Sequence, residues 1–71
     1  MTEVMSLDHY VTRFENRDGE LLGDMPGLLA ITLYKGMEIT LHGQNGMFKV
    51  AEWRFHHGHS DENAGLTVVL E

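Results

Sequence analysis

The chain has no cysteine, so no disulfide braces it and no thiolate can ligate a metal or act as a nucleophile. At 71 residues that absence carries weight. A domain this short buries only about 60% of the surface its unfolded chain exposes, and its stability must come from packing and backbone hydrogen bonds. Serine is nearly as scarce, with Ser6 and Ser60 the only two. Ser60 stands between His59 and Asp61, but neighbours in sequence do not present the chained hydrogen bonds of a catalytic triad. The chain is therefore expected not to be an enzyme. No apolar run approaches the roughly 20 residues that span a bilayer, and no basic segment followed by an apolar one opens the chain. The expectation is a cytoplasmic protein with no membrane partner.

Positive charge is also in short supply. Five basic residues face eleven acidic ones, for a net charge of −6, and the acids are spread from Glu3 to Glu71 without a run. That balance disfavours binding to phosphate backbones and anionic surfaces. Neither an internal repeat nor a low-complexity segment is present. A hydrophobic share of 42% against 23% charged residues is that of a folded chain.

What the sequence does contain is alternation of period two, the mark of half-buried strands. Residues 1–8 show no period and are expected to form a flexible arm, leaving 9–71 as a single small β domain. From His9 to Asn16, Tyr10, Thr12 and Phe14 alternate with Val11, Arg13 and Glu15, and Asp18-Gly19 then predicts a hairpin to a short return strand. The only proline, in Asp24-Met25-Pro26-Gly27, breaks the chain next. Leu28 to Tyr34 is an apolar run that fits a strand or a single helical turn. Met37, Ile39 and Leu41 alternate with Glu38, Thr40 and His42, and Gly43-Gln44-Asn45-Gly46 predicts a hairpin into the segment Met47–His57.

In that segment the parity slips. Phe48 and Val50 occupy even positions, whereas Trp53 and Phe55 occupy odd ones. One face can hold both pairs only if a residue is inserted near Ala51-Glu52, which is what a β-bulge does. A bulged strand of this kind is expected to bend the sheet and to place its aromatics, Trp53 included, in the core. Leu66, Val68 and Leu70 complete the pattern as a closing strand. The fold class expected is mainly β: a small, strongly bent antiparallel sheet or barrel of the SH3-like or OB-like kind, with five to six short strands and little or no helix.

Three functional readings follow. The leading one is a non-catalytic protein-interaction domain, with a protein partner or a homodimer, using Trp53, Arg54 and His56 as contact residues. The second is a metal-binding module. His56-His57-Gly58-His59-Ser60-Asp61-Glu62 brings three imidazoles and two carboxylates together, and His57, His59 and Asp61 would supply two nitrogens and one oxygen to a divalent ion. The order His57-x-His59-x-Asp61 resembles the His-x-His-x-Asp-His signature of metallo-β-lactamase-like hydrolases. It departs from that signature at Glu62, where the next histidine should stand, and no later histidine follows. The resemblance therefore implies metal ligation at most, without the hydrolase's fold or activity. The third reading is a nucleic-acid-binding small barrel, since Phe48, Lys49, Trp53, Arg54 and Phe55 interleave aromatics with cations and Arg13 could extend a basic stripe. The net charge argues against it. No resident cofactor is expected beyond the divalent metal of the second reading.

Overall fold

A computed structural model describes residues 10–58 and 64–71. Five strands follow one another, with no helix among the described residues: β1 Val11–Asn16, β2 Leu21–Pro26, β3 Glu38–Ile39, β4 Phe48–His56 and β5 Gly65–Leu70. They form one strongly curled sheet, a half-barrel, in the spatial order β2-β1-β5-β4-β3. The expected small, bent, mainly β architecture is present.

β1 and β2 make the expected hairpin. Its loop is Arg17 to Gly19, closed by the Asn16 N–H donating to the Glu20 carbonyl at 3.0 Å. The side-chain oxygen of Asn16 accepts from the amides of Asp18 and Glu20 at 3.0 and 2.9 Å, the local bonding that makes asparagine a turn former. Tyr10, Thr12 and Phe14, the alternating set of the opening stretch, are all buried.

The sheet is not purely antiparallel, because β1 and β5 run parallel from Val11 opposite Gly65 to Asn16 opposite Leu70. Chain direction explains this. Each connection reverses the strand, so the odd-numbered strands all point one way. The first and the fifth, brought side by side, must be parallel.

Residues 28–34 form neither a strand nor a helical turn. They cross the apolar side of the sheet as irregular chain, with Leu29 and Leu33 packed on the core of Phe14, Val50, Val68 and Leu70. An irregular segment lacks a ladder for its polar backbone groups, which must find other partners. The buried hydroxyl of Thr12 provides them, accepting from the Leu29 N–H at 3.0 Å and donating to the Gly27 carbonyl at 2.8 Å. The strand expected over Met37–His42 shortens to Glu38–Ile39, although Met37, Ile39 and Leu41 still pack against the core as their alternation requires. Beyond them the Gln44 amide reaches back across the curl to donate to the Leu22 carbonyl of β2 at 3.2 Å.

Two irregularities bend β4 at one point. The register with β5 shifts between Val50 opposite Leu70 and Glu52 opposite Val69, so Ala51 is the inserted residue. The bulge lies where the change of parity required it. On the other side, Gly36 donates its N–H to the Val50 carbonyl and Val50 donates its own to the Met37 carbonyl, both at 2.8 Å. Two residues thus oppose one, a bulge that needs glycine in its first place because the backbone there is left-handed. Gly36 has φ +86° and is also the third residue of the turn closed by the Met37 N–H on the Tyr34 carbonyl at 3.1 Å. Val50, fully buried, sits between the two bulges as the pivot of the curl.

Candidate functional site

The bulges divide β4 into unlike halves. Before Ala51 the strand is covered on both edges, by β5 and by β3. After it, β5 alone pairs with the strand among the described residues, and Glu52 to His56 are all exposed.

Which way these side chains point follows from register, since directly opposed residues project to the same face. Trp53 lies opposite Val68, which lies opposite Phe14, while Phe55 lies opposite Leu66 and, through it, Thr12. Both aromatics therefore belong to the apolar face, as the expected bulge demanded. They do not belong to the core. Trp53 is 42% exposed and Phe55 53%, because the segment that covers this face, residues 28–41, packs over the other end. The expectation that Trp53 is a core residue is thus corrected: alternation gives its face, but the cover over that face does not reach it. Phe55, expected in the core with it, is instead the second exposed aromatic. Its ring leans on buried Tyr10, centroids 5.7 Å apart and tilted by 51°, a contact that limits the ring's freedom.

Arg54 and His56, the other two expected contact residues, project from the opposite face. Arg54 is 3.7 Å from Glu15 of β1, a long contact made by an exposed arginine to a half-buried carboxylate, which contributes little to stability. The basic stripe that nucleic-acid binding would need does not form on this face. Arg13 is opposed by Asp24, Lys49 by Glu38, and Arg54 stands beside Glu15.

The strand's backbone has a direction as well. Hydrogen bonds in an antiparallel ladder fall on alternate pairs. Lys49 and Glu71 exchange both of theirs, at 3.0 and 2.8 Å, and Val50 turns its own groups to the β3 side. Carried past the inserted Ala51, this alternation aims the backbone groups of Glu52, Arg54 and His56 at β5. Those of Trp53 and Phe55 point away from it, towards the side that no described strand occupies. A shallow hollow of about 230 Å³, lined by Lys35, Ala51, Glu52 and Trp53, marks where β3 stops and this open edge begins.

Of the residues expected to hold a metal, His57 is exposed just beyond β4, and His59 and Asp61 lie outside the described residues. No group of three histidine, cysteine or acidic side chains suited to a metal ion occurs among the described residues. Likewise, no helix among them is long and apolar enough to cross a membrane. Comparison with protein-family models, with curated proteins and with solved structures finds no match to this chain.

Proposed function

We propose that the chain is a non-catalytic protein-interaction domain and that the second half of β4 is its recognition surface. One observation carries this reading: Trp53 and Phe55 stand on the same apolar sheet face, and among the described residues each is left roughly half exposed. Large aromatics supply much of the energy of protein interfaces, because each buries a large rigid area at little entropic loss. The hollow beside Trp53 is shallow and open, which suits a protein surface better than an enclosed substrate.

Photocrosslinking tests the reading. With Trp53 or Phe55 replaced in turn by a benzophenone amino acid, irradiation in the native cell is expected to trap a protein adduct from each position. The same group at Asp18, on the β1–β2 loop, should trap none. Adducts of equal yield from all three positions, or from none, would remove the basis for placing recognition on β4.

A further inference from the structure

The two edges that β2 and β4 present are built differently. Pro26 of β2 has no N–H to offer, Asp24 places a charge on its edge, and the Leu22 carbonyl is taken by Gln44. These are the usual protections of a strand edge against pairing with another chain. The open part of β4 has no proline, and the side chains flanking its outward amides are aromatic.

We propose that this edge takes a second copy of the chain by antiparallel strand addition, with Arg54 at the two-fold axis. The inference rests on the protein-binding reading of β4 and names its partner. The register follows from the limits of the edge. On one side Gly36 and Met37 occupy Val50 and the bulge consumes Ala51, and on the other the strand ends at His56. The stretch of β4 whose outer side no described strand occupies runs from Glu52 to the strand's end at His56, and Arg54 is its midpoint.

Pairing about that midpoint sets Trp53 opposite Phe55 of the second copy, and Phe55 opposite the second copy's Trp53. These are the residues whose N–H and C=O groups point outward. Each pair exchanges both hydrogen bonds, so the two donors and two acceptors that each chain turns away from β5 are all satisfied. The same pairing joins two aromatic cross-strand pairs on the apolar face. On the polar face Glu52 opposes His56 of the second copy. Arg54 meets its own counterpart, with Glu15 of the same chain 3.7 Å away to offset the like charge. Glu52, Arg54 and Glu15 leave a single negative charge at the contact, and the rest of the net −6 arises away from it and is largely screened beyond about 8 Å at physiological salt. Centring the pair on Trp53 would drive the second copy into the space held by Gly36, and centring it on Phe55 would run past the end of β4.

A single-cysteine comparison reads this register directly, because the chain has no thiol of its own. Residues opposed in a pair without backbone hydrogen bonds have Cα atoms about 4.5 Å apart, inside the range a disulfide spans. Arg54→Cys is expected to form a covalent dimer under mild oxidation. Glu52→Cys, whose two copies would lie about 13 Å apart, should remain monomeric. Sedimentation equilibrium of the unaltered chain should show a monomer–dimer equilibrium. A synthetic chain N-methylated at Phe55, with its side chain kept, should dimerise at least about tenfold more weakly. A monomer at every accessible concentration, equal crosslinking of the two cysteine variants, or an unaffected N-methylated dimer would each overturn the proposal. If the N-methylated chain fails to fold, as judged by circular dichroism, the two cysteine variants decide alone. Should the chain prove monomeric while Trp53 still crosslinks to a different protein, the second copy is wrong and the protein-binding reading stands. Loss of both results would remove both.

Discussion

Gly65→Ala is expected to unfold the domain. Gly65 opens β5 and is paired on both sides, with Val11 of β1 and His56 of β4. A Cβ at this position would lie 1.9 Å from the Val11 carbonyl oxygen and 2.7 Å from the Val11 nitrogen. Both are backbone atoms of the adjacent strand and cannot swing aside as a flexible side chain would. Its φ of +135° adds a conformation that residues with a side chain rarely adopt. The change therefore separates β1 from β5 where the parallel pairing begins. A chain of this length has a total stability of only about 4–10 kcal/mol, and displacement of a central strand costs about 4 kcal/mol or more. The expected result is loss of cooperative thermal unfolding, or a midpoint lowered by about 20 °C or more. Two other glycines make the control. Gly46 has φ +87° but open space around it, so Gly46→Ala carries backbone strain alone, about 1–2 kcal/mol. Gly23 has neither a left-handed φ nor a neighbour within 4 Å, and Gly23→Ala should be close to neutral. Equal effects at Gly65 and Gly46 would show that the close approach of β1 is wrong.

Thr12→Val is expected to destabilise the fold by about 2–4 kcal/mol although it preserves the side chain's shape. The hydroxyl is fully buried and makes two hydrogen bonds to the irregular segment, one to the Gly27 carbonyl and one from the Leu29 amide. An isosteric methyl leaves a donor and an acceptor unpaired in a largely dry setting, at about 1–3 kcal/mol each, lessened where water reaches one of them. Thr12→Ser keeps both bonds and loses one methyl, for about 1 kcal/mol. The ordering, valine worse than serine, separates bonding from packing. Denaturant melts of the three chains give it, and the reverse order would mean that Thr12 acts through its methyl group.

The fate of Thr12 also shows what a linear pattern can reveal. Its place on the buried face of β1 was legible, because alternation with Arg13 and Glu15 fixes the face. Its bonds to residues fifteen and seventeen positions away were not, since nothing local records which segment will cross above it. The same limit governs residues 28–34, whose apolar run has no period because it lies across the sheet instead of within it. The insertion at Ala51 was legible for the opposite reason: a bulge changes parity, and parity is a local property of sequence. Periodicity placed Trp53 and Phe55 on the apolar face. Whether that face is covered depends on how far residues 28–41 reach, which is a tertiary matter. The parallel pairing of β1 with β5 is invisible for a related reason, because alternation says that strands exist and not which ones become neighbours. The pattern leaves Trp53 open to two readings, core residue or exposed contact, and points Phe55 to the core; both are exposed.

Amide hydrogen exchange along β4 in dilute protein is the most direct test of the open edge on which the functional account rests. Exchange resolved by residue should show the Arg54 amide protected by its pairing with β5, between unprotected amides at Trp53 and Phe55. Val50, held by Met37, should be protected as well. Raising the protein concentration should then slow exchange at Trp53 and Phe55 alone, as a second copy pairs with them. Uniform protection from Val50 to His56 in dilute solution would mean that another part of the chain already covers the edge, and would contradict the account.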